Sequence, residues 1–461
     1  MTLHFPSRPP KHDPRLDWCA RRLQEGADHQ QAGRFADAMA IYQEVLRKWP
    51  ECWAATFQLG TILYRYGMLE NAELLFRKVV TAFARADLTD QHKPLLADTF
   101  YNLTLVLQES GRLGEAVTTY LAAAEMGGER SEVFVNLGTA LLGLGMHEKA
   151  IEAFNAALEC PTPAPEIRYN RGLANILLGR WTEGWEDFEY RWAAPSFKAD
   201  YTRDLKKPRW DGEPTDQPVL IWSEQGFGDT LMLMRYIPLL KERLGQPGLR
   251  MEVQRSLLRF VRGATGVAAM VADGAELPEF EYHLPMFSLP HIFGTTTETV
   301  PPFVSSMPHT TIPGRIGLCW AGTTKHRNDR HRSISLQAFY PLFEIPGLTW
   351  QSLQLDRLGG MADTPLAPLE IPKDGDWFDT ARVVASCDLV ITVDTGVAHL
   401  AGVMGKPTWL LLSAWPDFRW MLERTDTPWY PTMTLYRQHR IGDWMRVIMQ
   451  VRKDLEARYA V

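Results

Sequence analysis

Three short motifs between residues 226 and 401 carry side chains whose types and spacing suit chemistry. The first, Gly226-Phe-Gly228-Asp229-Thr230, follows the apolar run Val219-Leu-Ile-Trp222 and leads into TLMLMRYIPLLKERL, a helical pattern. A carboxylate at Asp229 can cap the unpaired N–H groups of that helix or accept a proton in a general-base step, and residue type alone leaves both open. A dinucleotide fingerprint is a poor match, because Leu231 stands where the third glycine is required. The second motif, Val393-Asp394-Thr395-Gly396-Val-Ala-His399-Leu-Ala401, runs from a strand straight into a helix. A phosphate over such a helix start meets free N–H groups, the positive end of the dipole and a glycine that permits close approach. The alternative is that Asp394 or Thr395 caps the helix and His399 packs against the sheet. The third motif, AGTTKHRNDRHRSISL, places Lys325, His326, Arg327, Arg330, His331 and Arg332 within eight residues. It can neutralise a diphosphate without a metal if it borders the same cleft, and otherwise it is a solvated basic loop. Asp374-Gly-Asp376 has the outline of a D-x-D metal motif but lies in a polar turn before a helix. A turn with a helix cap is expected there, and no metal.

Positioning these motifs calls for a parallel sheet. After the polar connection KKPRWDGEPTDQP, short apolar runs alternate with helical segments. One series contains Val219–Trp222 and Met251–Val253. A second contains Arg315–Trp320, TWQSLQ, Asp388–Val393 and Pro407–Leu412. The expected fold class is therefore α plus α/β: an all-helical N-terminal region, a linker at 196–216, two Rossmann-like halves at 217–310 and 311–435 facing each other across a cleft, and a C-terminal helix within 436–461.

The N-terminal region repeats with a period of 34. Ala38, Ala72, Ala116, Ala150 and Gly184 are each followed four residues later by an aromatic, Tyr42, Phe76, Tyr120, Phe154 and Phe188. Twelve positions before each small residue stand Gly26, Gly60, Thr104, Gly138 and Gly172. A ten-residue insertion around ARADLTDQHK is the one break in register. Pro50 falls where a repeat must end. Units of this length, with small and aromatic residues at these offsets, resemble the tetratricopeptide repeat, whose helix pairs stack into a superhelix. About five repeats are expected over 17–195, after a disordered N-terminus at 1–16. Two residues before each Gly or Thr marker lie Gln24, Gln58, Asn102, Asn136 and Asn170. A carboxamide carries both a donor and an acceptor, so such a ladder can pair with an extended peptide whatever its sequence, or can bridge neighbouring repeats. It is similar to the asparagine ladder of the eukaryotic O-linked N-acetylglucosamine transferase. Trp181, Trp185, Tyr190 and Trp192 crowd the last repeat, either as a docking surface for the following domain or as a platform for sugars.

Composition narrows the classes. A formal charge of −6 over 461 residues argues against a nucleic-acid binder. Cys19, Cys52, Cys160, Cys319 and Cys387 are dispersed, with no C-x-x-C pair, which suits a reducing cytoplasm. The first residues lack the apolar core of a signal peptide, and no membrane span is expected.

The Gly-Asp turn at Gly228-Asp229, the D-T-G-x-x-H turn at Asp394–His399 and the basic loop together resemble the lipopolysaccharide heptosyltransferases and related glycosyltransferases of the GT-B fold. The chain as a whole resembles bacterial repeat proteins carrying a heptosyltransferase-like domain, some of which are implicated in glycosylating flagellin. The resemblance implies a metal-independent transferase that moves a sugar from a nucleotide-sugar co-substrate, with no further cofactor, to a protein Ser or Thr hydroxyl. Asp229 would be the base. Gly228, Lys325, Arg332, Ser333, Gln354, Asp394, Thr395, Gly396 and His399 would hold the donor, and the carboxamide ladder would recruit the protein acceptor, with flagellin one candidate. Heptosyltransferases proper lack the repeats, which argues against a lipopolysaccharide acceptor; a transferase acting on a glycan or lipid intermediate, and a non-catalytic repeat scaffold, are the other readings.

Overall fold

A computed structural model describes residues 14–84, 92–127, 130–164, 166–194, 197, 203–302, 305, 307–324 and 328–459. The chain divides into two compact units, Met1–Ala174 and Asn175–Val461, and the division falls inside a helix. The N-terminal tail at 1–13 and the middle of the insertion, 85–91, lie outside the described residues, as do Lys325, His326 and Arg327 of the basic loop.

The first unit is an all-helical tetratricopeptide-type array. Its helices are α1 (Pro14–Gln31), α2 (Phe35–Lys48), α3 (Trp53–Arg65), α4 (Leu69–Ala84), α5 (Lys93–Glu109), α6 (Leu113–Gly127), α7 (Ser131–Gly143), α8 (His147–Glu159) and α9 (Ile167–Leu177). The period is set by a packing rule. A Cβ added at Gly26 would come within 2.5 Å of the Tyr42 ring, at Gly60 within 2.8 Å of Phe76, and at Gly138 within 2.5 Å of Phe154. Each of these three glycines of a repeat's first helix is thus the seat for the aromatic ring of its second helix. Ala38, Ala72, Ala116 and Ala150 are all fully buried beside those rings. In the third repeat Thr104 takes the glycine's place and turns its hydroxyl to the Phe100 carbonyl at 2.7 Å.

A second in-phase series, not anticipated from the small-residue and aromatic pattern, closes the turns within the repeats. Gly33, Gly67, Gly111, Gly145 and Gly179 have φ of 74°, 72°, 74°, 74° and 84°. The N–H groups of Arg34, Met68, Arg112, Met146 and Arg180 reach back to the carbonyls of His29, Leu63, Leu107, Leu141 and Asn175, the hydrogen bond of a left-handed helix cap. Only glycine adopts that conformation without a Cβ penalty.

The second unit opens with α10 (Trp181–Phe188) and contains two parallel sheets. The first sheet holds β1 (Val219–Trp222), β2 (Leu249–Val253), β3 (Met270–Ala272) and β4 (Tyr282–Pro285) in the order β3-β2-β1-β4. Its connections carry α11 (Phe227–Leu233), α12 (Ile237–Gly248) and α13 (Leu258–Thr265). The second sheet holds β5 (Arg315–Cys319), β6 (Thr349–Ser352), β7 (Leu366–Ala367), β8 (Leu389–Val393), β9 (Thr408–Leu412) and β10 (Met433–Arg437) in the order β10-β9-β8-β5-β6-β7. Helix α14 (Trp377–Ser386) precedes β8, α15 (Gly396–Val403) follows it, and α16 (Trp444–Tyr459) ends the chain. Strands β1, β8 and β9 are buried at every position, as strands covered on both faces must be.

The C-terminal helix lies on the second sheet, with Val447, Ile448, Val451 and Leu455 in one core with Ile316, Trp350, Ile391 and Leu411. Trp181 and Trp185 are also core residues: Trp181 stacks on Trp429 at 5.0 Å, and Trp185 meets Phe188 and Phe418 edge-on. Their burial leaves neither ring a face for a sugar. Tyr190, by contrast, is exposed.

Candidate functional site

The sites predicted on the two sheets meet where two helix starts converge. β1 runs into the Gly226 loop and α11, and β8 runs into Asp394, Thr395 and α15. The contact is steric and close, since a Cβ on Gly228 would lie 2.5 Å from His399 Cδ2. His399 is buried, donates or accepts at Nδ1 with the Tyr430 hydroxyl at 2.8 Å, and stacks on Trp420 at 5.2 Å. Burial, reinforced by Arg419, Arg235 and Arg332, holds its pKa well below the usual imidazole value, so the ring is neutral. His399 thus packs between Trp420 and Gly228.

Asp229 takes up a capping role at the helix start and, beside it, an ion pair that its sequence neighbourhood does not announce. Its Oδ2 accepts the Gly226 N–H at 2.7 Å, the reciprocal half of a capping box. Its Oδ1 accepts from Arg419 Nη2, a residue 190 positions later. Arg419 also pairs with Asp417 at 2.7 Å. Burial raises the Asp229 pKa and Asp417 adds to it, against the opposing pull of Arg419. Asp394 is pushed up to about 6 by burial and by Asp417, although Arg419 and Arg332 favour its charge.

Arg332 reaches the same place from the basic loop, donating Nη1 to the Asp394 carbonyl at 2.8 Å. Its guanidinium lies over Gly322, where a Cβ would stand 2.6 Å from Nη2. The Nε groups of both Arg332 and Arg419 are buried and have no hydrogen-bond partner among the described residues. At the start of α15, Thr395 is the cap residue but makes no capping side-chain bond, and its hydroxyl sits 3.3 Å from that of Thr392. The alternative in which Asp394 or Thr395 caps this helix is therefore not what the structure adopts. Gly396 seats the Trp377 indole, whose Cη2 would be 2.6 Å from an added Cβ, and Trp377 also meets Phe227 at 5.5 Å.

Two other predicted residues hold the loop in shape. Gln354 is buried, accepts from the N–H groups of Trp320 and Ala321 at 3.1 and 3.0 Å, and donates to the Ala321 carbonyl at 2.9 Å. Ser333 accepts from Gly322 N at 3.0 Å and donates to Asp329 at 2.7 Å. Lys325 lies outside the described residues. Asp376 is the cap of α14, accepting from Phe378 and Asp379, and it also pairs with Arg259 of α13 at 2.7 Å. Its carboxylate is thus committed to a cap and an ion pair.

Residue-type reasoning missed Arg419, Asp417 and Trp377. The signal for the first two was the charged pair in WPDFRW, inside an aromatic and proline-rich stretch. A second buried cluster was missed as well. Arg191 pairs with Glu224 at 3.1 Å and with Glu189 at 2.8 Å, and Glu224 accepts from Phe287 N at 2.9 Å, two residues before the Gly226 loop.

In the array, all five carboxamides occupy the same register on the first helix of each pair. Gln24 is exposed and donates to Asp28 at 2.8 Å, Asn102 donates to the Asp98 carbonyl at 2.8 Å, and Asn136 donates to the Tyr101 hydroxyl at 3.2 Å. Gln58 and Asn170 are half-buried.

Comparison with known proteins assigns the class of the first unit: a tetratricopeptide-repeat family model matches residues 23–87 and 101–165. A curated relative spans more of the chain. Protein FlbA of Caulobacter vibrioides is 25% identical over 314 residues, 58% of this chain and 51% of FlbA, so the chain spans about half the length of that relative. Among solved structures, YrrB, described as a TPR protein with an unusual peptide-binding site, is 20% identical over 39% of this chain and 86% of its own, with a TM-score of 0.30. A MamA crystal structure is 21% identical over 38% of this chain and 97% of its own, with a TM-score of 0.33.

Proposed function

We propose that the second unit is a GT-B glycosyltransferase that moves a sugar from a nucleotide-sugar donor to a Ser or Thr hydroxyl of a protein recruited by the repeats. The observation that carries this reading is the meeting of Asp229, Arg419, Arg332 and the uncapped start of α15 around the Gly228–His399 contact. The donor diphosphate would lie over the α15 start, where free N–H groups and the guanidinium groups of Arg332 and Arg419, whose Nε atoms make no hydrogen bond among the described residues, favour an anion. Asp229 would take the proton of the acceptor hydroxyl as that oxygen attacks the anomeric carbon and the nucleoside diphosphate leaves. Asp229 is bound to Arg419 in this structure, so the phosphate would have to draw Arg419 away before the carboxylate can act. The carboxamide register supports a polypeptide acceptor, and flagellin is one acceptor consistent with the family resemblance.

The test is thermal stability with a panel of nucleoside diphosphates, on the natural chain and on Thr395→Arg and Arg332→Gln. The expected result is a rise in melting temperature with one nucleotide, lost in both variants. A second reading, a repeat scaffold whose α/β unit does no chemistry, is favoured by the Arg419–Asp229 pair itself. No shift with any nucleotide selects it.

A further inference from the structure

The five cysteines look unrelated in sequence, yet folding brings two of them together. Cys19 on α1 and Cys52 at the start of α3 have their sulfurs 3.7 Å apart, although 33 residues separate them. Both are buried in one cluster with Leu23, Tyr42, Val45 and Ala55. We propose that Cys19 and Cys52 form a peroxide-sensitive dithiol, oxidised by a hydroperoxide to a reversible disulfide that staples the first repeat to the second.

The two sulfurs are not equivalent, and the difference sets the order of events. Cys52 is held below the usual thiol pKa first by the hydrogen bond from Cys19, and then by the N–H groups of Ala54 and Ala55 at the open start of α3. Cys19 is shifted the opposite way, by the same hydrogen bond and by burial. Cys52 is also the more exposed of the two, at 8% against 1%. The Cys52 thiolate therefore attacks the peroxide oxygen. The O–O bond breaks, Cys52 becomes a sulfenic acid, and the departing hydroxide takes up the proton that the Cys52 thiol gave up on ionising, leaving as one water. The Cys19 sulfur then attacks the Cys52 sulfur, the S–O bond breaks, and the hydroxide leaves as a second water with the Cys19 proton. In total, two thiols and one hydrogen peroxide give one disulfide and two waters. The sulfurs need to close from 3.7 Å to about 2.05 Å.

The location gives the bond a consequence. Each repeat contacts only its neighbours, and a terminal repeat opens most readily. A covalent link between α1 and α3 removes that opening and fixes the first rung of the carboxamide register, Gln24, relative to the second, Gln58.

The experiment uses the full chain, reduced, freed of reductant and exposed to hydrogen peroxide, then quenched with catalase, denatured and alkylated with N-ethylmaleimide. The expected result is that alkylated thiols fall from five to three, that a peptide pair joins Cys19 to Cys52, and that dithiothreitol restores all five. The oxidised chain should also show slower amide exchange in α1. In Cys19→Ser, oxidation should stop at a Cys52 sulfenic acid that dimedone traps. Five alkylated thiols after peroxide, or a crosslink between any other pair, overturns the proposal. That readout is made on the natural chain and does not depend on any variant folding.

Discussion

Gly228→Ala is the sharpest perturbation of the candidate site, because a single methyl group tests whether the two helix starts meet as described. The added Cβ would stand 2.5 Å from His399 Cδ2, whereas carbon atoms at rest lie about 3.5–4.0 Å apart, so roughly 1 Å must be found. The backbone adds nothing to the effect, since Gly228 has no left-handed φ. His399 cannot retreat freely: the Tyr430 hydroxyl holds it at 2.8 Å, Trp420 stacks on its face, and both neighbours are fully buried. The strain therefore falls on α11, which must move away and carry Asp229 off Arg419. Overpacking of this kind costs about 1–3 kcal/mol, which in a domain of this size lowers the melting temperature by about 2–6 °C. Differential scanning calorimetry of the full chain measures it, with nucleotide-induced stabilisation as a second readout. His399→Ala removes the ring and should relieve most of the Gly228→Ala effect, so the two changes are expected to be strongly non-additive. A variant that melts and binds as the natural chain does, or whose loss persists undiminished in the His399→Ala background, refutes the geometry.

Two further outcomes follow from buried charge. Asp394, raised from 3.8 to about 6, contributes stability that is present in full below the unfolded carboxylate value and is lost as pH rises through about 6. Asp394→Asn should therefore flatten the decline in melting temperature between about pH 4 and 6, and a profile that keeps the natural slope would point to another group. Arg191→Met leaves Glu224 buried without its cation, and should cost about 3–5 kcal/mol in urea unfolding of the second unit, with part recovered by adding Glu224→Gln.

What the sequence determined alone was whatever local chemistry dictates. The 34-residue array was legible because glycine, alanine and aromatic residues must recur wherever two helices touch, and the parallel strands were legible as apolar runs between helical segments. The Asp376 cap and the strand-to-helix turns at Asp229 and Asp394 were legible for the same reason: a helix start needs particular residues within three or four positions. The in-phase glycines at Gly33, Gly67, Gly111, Gly145 and Gly179 carried an equally local signal that the small-residue markers overshadowed.

Tertiary structure decided the partnerships. Nothing near Asp229 in the chain announces Arg419, 190 residues away, and nothing near Cys19 announces Cys52. Short strands such as Met270–Ala272 and Leu366–Ala367 gain their identity only from the neighbours that complete their hydrogen bonds. His399 and Gln354 have residue types that suit ligand binding, yet stacking on Trp420 and bonding to the backbone at Ala321 make them part of the framework. Packing and long-range charge pairing depend on which elements the fold brings together, and residue spacing carries no record of that.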